Sequence, residues 1–305
     1  MTVKRPPRGA NGNGTLPPGR QRQLEELLAA SDLDTADIGY LVRLLMLCTL
    51  PRTNPGKRLQ YRRTNGPHEL IMTATGRRGL PYGSLPRLML AWVCTEALRT
   101  RSRELVLGRS LADFMRQLGI TGRQGGPRGN VTRVRDQMHR LFYANVRLTH
   151  REGRRERSVS SQVTSRTDLW WDVRDPEAPM LFESTITLGA ELYEEIIRHP
   201  VPLDMNVLKA LTRSSLGLDL YMWLAYRTFT MREPMRLSWR QLYRQFGADP
   251  EKASDRYAVR DFRKDCLREL SKLKVAWPAL QYDTPPGHLL IWPTESLVRP
   301  RRTLR

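Results

Sequence analysis

The chain has 305 residues, with 51 Lys and Arg against 31 Asp and Glu, a formal charge of +20 and a pI of about 10.7. That length can bury a core and hold two domains without disulfide or metal staples, and the charge favours a polyanionic partner, nucleic acid before an anionic membrane surface. The most apolar run, Leu41 to Leu50, is ten residues long and interrupted by Arg43, where a membrane-spanning helix needs roughly 20, so no membrane partner is expected.

In chain order, residues Met1 to Arg22 carry five cations, no carboxylate and a dense supply of Pro and Gly. Such a stretch cannot offset its ordering entropy by burial and reads as a disordered basic tail, with no apolar core of a signal peptide. The C-terminal "RPRRTLR" (299–305) reads the same way, and taking the nine cations of the two tails from +20 leaves +11 on the remainder.

Apolar residues at helical spacing predict helices over Leu24 to Ala30 and Thr35 to Leu50, the second opened by Asp34 and Asp37. "KRLQYRRTNGPHELIMTA" predicts two strands turning at Asn65-Gly66. A long apolar helix over "LPRLMLAWVCTEALRTRS", a strand "ELVLG" and a helix "SLADFMRQLG" follow, the last with Ser110 as N-cap and Gly119 as its stop. "GGPRGNVTRVRDQMHRL" then predicts a glycine-rich turn and another helix. Beyond it, "NVRLTH", "VSSQVTSRTDLWWDV" and "LFESTITLG" predict strands, the first two joined by the basic hairpin "REGRRERS", and a helix spans Ala190 to Arg198. The prolines of "HPVPLD" suggest a boundary near Pro200, giving domains over 23–199 and 200–298. The second half reads helix (Met205 to Leu211), helix (Leu218 to Met231), strand "MRLSW", helix "RQLYRQFG", helix "DRYAVRDFRKDCLRELSKLK" and a hairpin turning at "PPG".

The halves repeat. "FMRQLG" from Phe114 matches "LYRQFG" from Leu242 at a shift of 128, and the same shift pairs Val131 with Val259, Val134 with Phe262, Met138 with Cys266 and Phe142 with Leu270. Helix, strand, helix, turn, helix and hairpin describe a winged helix, a helix-turn-helix variant whose last helix enters the major groove while the hairpin touches backbone. The expected fold is thus α+β, two tandem winged-helix domains with disordered basic tails.

At about 100° per residue, Val259, Phe262, Cys266, Leu270 and Leu273 share one face of the last long helix, while Tyr257, Arg260, Lys264 and Arg268 project from the other. Asp261 and Asp265 are expected to one side of that stripe. A solvated helix face is the bland alternative, and DNA contact the sharper reading. In the first copy the equivalent stripe is Thr132, Asp136 and Arg140, flanked by Arg133 and His139, and the hairpin offers Arg151, Arg154, Arg155 and Arg157 as wing contacts to phosphate. The glycines before the helix match no nucleotide-binding motif and would let Arg123 and Arg128 approach a backbone.

Chemistry-bearing motifs are sparse, so no catalysis, cofactor or metal is expected. His68, His139, His150, His199 and His288 form no ligand pair in sequence, and Asp32, Asp34 and Asp37 are explained by capping and dipole compensation. "GRSLA" lacks the second glycine of a nucleophile elbow. Cys48, Cys94 and Cys266 sit in apolar helical contexts with no C-x-x-C spacing and read as reduced core residues of a cytoplasmic protein.

"LPYGSLPRLMLAWVCTEALRTRSRELVLGRSLADFMRQLGI", "GGPRGNVTRVRDQMHRLF", "PVPLDMNVLKALTRSSLGLDLYMWLAYRTF" and "LSWRQLYRQFG" together resemble the plasmid-encoded RepA family of replication initiators, over Leu80 to Pro293. The resemblance implies two winged-helix domains, binding to repeated duplex sites at a plasmid origin, opening of adjacent DNA and recruitment of host replication proteins such as a helicase or initiator. It leaves a homodimer open and implies a bacterial cytoplasmic location with the nucleoid or plasmid. It supplies no catalytic motif. The rival readings are a winged-helix transcriptional regulator and a rolling-circle nicking enzyme, the latter opposed by the missing histidine pair.

Overall fold

The computed structural model describes residues 38–42, 48–120, 129–171, 175–295 and 297. Both basic tails and the helix expected at Leu24 to Ala30 lie outside them. The helix expected over Thr35 to Leu50 is corrected within them: Ile38–Val42 is a strand, β1, and Cys48 to Leu50 is irregular.

Next come β2 (Gln60–Asn65) and β3 (His68–Ala74), turning at Gly66 with a positive φ of 56°, then α1 (Leu85–Thr100) and β4 (Glu104–Gly108). Helix α2 (Leu111–Gln117) opens on Ser110, whose side chain accepts from the Asp113 amide, and ends before Gly119 at φ 70°. Helix α3 (Asn130–Phe142) leads into β5 (Ala144–Glu152), β6 (Arg155–Gln162), β7 (Thr164–Asp168) and β8 (Ser184–Leu188). Helix α4 (Ala190–Arg198), β9 (Pro200–Asp204), α5 (Met205–Ala210), α6 (Ser215–Thr230) and β10 (Met235–Ser238) continue the chain. The last elements are α7 (Trp239–Phe246), a 3₁₀ turn (Pro250–Ser254), α8 (Arg256–Ala276), β11 (Tyr282–Asp283) and β12 (His288–Ile291).

The result is a mixed α+β fold with four small antiparallel sheets among the described residues. Two of them are three-stranded with the same connectivity: β4-β8-β7 and β10-β12-β11, the last strand lying in the middle each time. Each sheet belongs to a unit of helix, strand, helix, helix and two strands, α1-β4-α2-α3-β7-β8 and α6-β10-α7-α8-β11-β12. The core register inferred from the repeat is present in both. Val131, Val134, Met138 and Phe142 are buried on α3, as are Phe262, Cys266 and Leu270 on α8, with Val259 partly buried.

The first unit differs by an insertion. Strands β5 and β6 follow α3 directly but join β2 and β3 in a separate sheet of order β2-β3-β5-β6. The basic hairpin expected as the first unit's wing is therefore the tip of this inserted sheet, and β7 and β8 occupy the position of the second unit's final hairpin. An immediate strand-turn-strand after a helix looks the same in sequence whichever sheet it joins, because its partners β2 and β3 lie some 70 residues upstream.

Helices α1 and α6 form the centre. Ten of the 16 residues of α1 are buried, and α6 buries Leu216, Leu218, Leu220, Tyr221, Met222, Trp223, Leu224 and Ala225. Up to Cys94 in α1 and Ala225 in α6 neither helix has an exposed polar face, the pattern of a helix packed on all sides. The "HPVPLD" segment is not an open linker: β9 pairs antiparallel with β1, Ile38 opposite Asp204 and Val42 opposite Pro200. A two-stranded ribbon tolerates both prolines because each strand has a free edge for positions that cannot donate. Asp204 then caps α5 by accepting from the Asn206 and Val207 amides.

The inserted sheet locks onto α7. Buried Arg63 of β2 donates from Nη1 to the Arg244 carbonyl (2.9 Å) and from Nη2 to the Gly247 carbonyl (2.8 Å), with Nε on the Tyr61 hydroxyl (2.6 Å). Arg52 donates to the Phe246 carbonyl and Thr49 to the Gln245 carbonyl. Four consecutive carbonyls at the negative end of α7 are thus satisfied, two of the residues doing so being cationic.

Candidate nucleic-acid interface

Helix α8 begins on Asp255, which accepts from the Tyr257 and Ala258 amides. Its 21 residues span about 31 Å at 1.5 Å each. Phe262, Cys266, Glu269, Leu270 and Leu273 are buried, and Tyr257, Arg260, Lys264 and Arg268 are exposed, as helical spacing predicts. The sequence reading missed two further exposed cations beside this stripe. Arg256 lies 4.7 Å over the Tyr257 ring, with Arg260 at 5.4 Å, and Arg263 lies 5.6 Å from the Trp239 ring of α7. The missed signal was present: Arg256 and Arg263 flank the stripe one position off its centre line.

The two aspartates do not stand aside as expected. Asp261 pairs with Arg260 (3.1 Å) and Lys264 (3.8 Å), and Asp265 pairs with Arg268 (2.8 Å), because long cationic side chains reach neighbours one and three residues away. All these groups are well exposed, where such pairs contribute only about 0–1 kcal/mol, so phosphates can compete for the cations. Counted along α8, seven Lys and Arg oppose three Asp and Glu.

On α3 the exposed cation is Arg133, with Thr132 half-buried beside it. Arg140, the other cation expected at the duplex, is engaged within the protein: Nε donates to Asp136 at 2.7 Å, Nη1 to the Leu80 carbonyl at 3.2 Å, and the guanidinium lies 5.3 Å from the Tyr82 ring. Asp136 is held between Arg140 and Arg78 (3.3 Å), so its charge is already countered within the protein. Arg77 and Arg78, both exposed, were not singled out from sequence, because the loop carrying them precedes α3 by some 50 residues. His139 stacks on Tyr143, and burial, then the nearby Arg78 and Arg135, push its pKa down, holding it neutral. Arg123 and Arg128 lie outside the described residues.

At the inserted sheet's tip, Arg154, Arg155 and Arg157 are exposed, while Arg151 is tied to Glu156 (2.8 Å) and Glu69 (3.3 Å). The segment between β7 and β8, which occupies the hairpin position of the first unit, is different in character. It exposes Trp170, Leu181 and Phe182, with the Trp170 and Phe182 rings 5.3 Å apart, and places Glu177 near Arg116 and Glu183 near Arg109.

Strand pairing brings together one histidine pair that sequence separates. His68 and His150, opposite each other on β3 and β5, stack at 4.6 Å with Nδ1 atoms 3.2 Å apart. Among the described residues no group of three His, Cys, Asp or Glu could hold a metal ion; Asp32, Asp34 and Asp37 lie outside them. All three cysteines are buried, and burial pushes the Cys48 thiol up to about 12 and the Cys266 thiol still higher. No helix among the described residues is long and apolar enough to cross a membrane.

Comparison with known proteins agrees with the sequence resemblance. The model of the family described as plasmid encoded RepA protein matches residues 80–241, just over half of the chain. That match begins where the resemblance begins and stops inside α7. No curated protein matches the chain. Among solved structures, the crystal structure of selenomethionine derivatives of domains 2 and 3 of RctB is similar at a TM-score of 0.53 and 15% identity, covering 81% of this chain and 94% of that one. A second structure of RctB domains 2-3 gives a TM-score of 0.49 at 15% identity, covering 80% and 93%. The first likeness concerns the fold, and it spans both repeated units. The extent of the family match is what assigns the protein: the chain belongs to the plasmid-encoded RepA family.

Proposed function

We propose that this RepA-family chain is a plasmid replication initiator built from two tandem winged-helix domains, residues 23–199 and 200–298, that bind repeated duplex sites at the origin. The observation that carries the reading is α8: one face is buried in the core, and the other presents Tyr257, Arg260, Lys264 and Arg268, with Arg256 and Arg263 alongside, in the position of a reading helix. The shared order of the two three-stranded sheets supports the tandem arrangement.

In this reading Arg260, Lys264 and Arg268 meet base edges, where arginine and lysine pair with guanine O6 and N7. Arg133 and Thr132 approach the duplex from α3. Arg151, Arg154, Arg155 and Arg157 meet phosphates from the inserted sheet instead of from a wing, together with Arg123 and Arg128 and the basic tails. Opening of adjacent DNA and recruitment of host replication proteins follow from the family. No covalent chemistry is assigned, and the site of action is the plasmid in the bacterial cytoplasm.

The test is footprinting on the cognate plasmid. Protection of directly repeated sites beside an A·T-rich segment supports initiation, and protection of a single promoter palindrome supports a regulator. A nicked product covalently joined to a tyrosine, after incubation with supercoiled plasmid and Mg²⁺ or Mn²⁺, overturns the non-catalytic assignment.

A further inference from the structure

The solvent face of the sheet β2-β3-β5-β6 plays no part in the helical surfaces above. Its other face carries Tyr61, Arg63, Leu70, Met72, Val146 and Leu148 into the protein. Strand alternation therefore turns Arg62, Ile71, Arg147 and Ser160 outward in one row across all four strands, and Gln60, Thr73, Asn145 and Gln162 in the next. Except for Gln162, these residues line a concavity of about 360 Å³. A second one of about 140 Å³ shares Asn145 and continues past Gln162 to Tyr143 and Arg166. The two are lined by seventeen residues in all, among them three arginines and neither Asp nor Glu.

Arg147 and Arg166 are exposed, and their guanidinium groups make no ion pair among the described residues. Arg62 leans toward Glu69 at 3.5 Å, and Glu69 is also held by Arg151 at 3.3 Å, outside the lining. Tyr143 is 44% exposed at the end of α3, its ring stacked on His139 and its hydroxyl 3.1 Å from that of Thr167.

We propose that this trough is a second nucleic-acid site, distinct from the duplex-reading helices, and that it takes a single DNA strand. Arg62 and Arg147 sit two strands apart, roughly 10 Å, and with Arg166 they place cations along the trough for successive phosphates. The amides of Gln60, Asn145 and Gln162 occupy the row beside Arg62 and Arg147 and can pair with base edges only when those bases are unpaired. Tyr143 supplies one aromatic surface for a base. A duplex is a convex rod that would span the rims of such a recess, whereas a flexible strand can enter it.

The experiment is fluorescence anisotropy of the full chain with a short labelled oligo(dT) and, separately, with a duplex of the plasmid origin, across a salt series. Arg62→Ala combined with Arg147→Ala should lower oligo(dT) affinity about tenfold and reduce its salt slope by about 1.4, the loss expected for two phosphates on a single strand. Origin-duplex affinity should stay within about twofold. Arg62→Lys with Arg147→Lys keeps the charges and should retain most of the oligo(dT) affinity, which separates charge loss from misfolding. Unchanged oligo(dT) binding in the alanine variant overturns the proposal. An equal fall for both probes also overturns it, making the trough part of the duplex interface, and a change of oligomeric state without loss of oligo(dT) binding would make it a self-association face. Failure of origin binding in the unmodified chain would instead strike the function proposed above.

Discussion

Arg87 and Asp219 form a bidentate ion pair between α1 and α6, Nε to Oδ1 at 2.6 Å and Nη2 to Oδ2 at 2.7 Å, with both side chains only 2% exposed. The remaining donors of Arg87 reach the carbonyls of Leu50, Pro51 and Gly83, so the charge is fully satisfied. The pair joins the central helices of the two repeated units. Leaving either charge alone in that setting costs about 3–5 kcal/mol. Arg87→Ala and Asp219→Ala should each lower the unfolding free energy by that order in urea titration, and the double variant should cost less than their sum. Additive losses would show that the two groups act independently.

Arg63 should matter for function through α7. Removing it frees the Arg244 and Gly247 carbonyls and the Tyr61 hydroxyl, and hydrogen bonds to a charged group contribute about 1.5–3 kcal/mol each. Arg63→Ala should destabilise the fold by about 3 kcal/mol and, since α7 packs against α8, raise hydrogen exchange in both helices. Protection factors in α7 and α8 that match those of the unaltered chain would rule out the lock.

The buried thiols set an alkaline limit. Cys48 is shifted from 9.0 to about 12 by burial, with Cys266 shifted further in the same direction. A folded state that binds more protons than the unfolded chain loses stability as pH rises, here from about pH 9 toward 12. Stability should be flat in this respect below pH 8 and decline above 9, and Cys266→Ala should flatten that decline at some packing cost. Rapid native-state labelling of Cys48 or Cys266 by a thiol reagent at pH 8 would contradict their placement.

How far the sequence carried depended on where each element finds its partners. Helices such as α1, α2 and α8 were legible because their apolar spacing and caps, Ser110 and Asp255 among them, are local. β1 was not: its pairing partner β9 is some 160 residues away, and a short apolar run serves a helix or a buried strand equally well. The hairpin of Arg151 to Arg157 was found as a hairpin but assigned to the wrong sheet, since β2 and β3, not α3, decide where it goes. On α8 the exposed residues were right, and the reach of Asp261 and Asp265 was not, because side-chain length, unlike position, is invisible to a helical projection. The trough on the inserted sheet had no sequence signature: its arginines come from β2, β5 and β7.

The role of α8 as the reading helix is tested most directly by the ratio of specific to non-specific affinity, measured by fluorescence anisotropy with origin and scrambled duplexes at one fixed salt concentration. A lost bidentate base contact costs roughly 1–3 kcal/mol of discrimination, so Arg260→Ala or Lys264→Ala should lower the ratio about tenfold or more. Asp261→Ala, which releases both cations, should raise affinity for the two duplexes alike, and Arg154→Ala or Arg155→Ala should weaken both alike. A ratio unchanged in the Arg260 and Lys264 variants, with discrimination lost in the Arg154 or Arg155 variants, would contradict the account and move sequence reading to the inserted sheet.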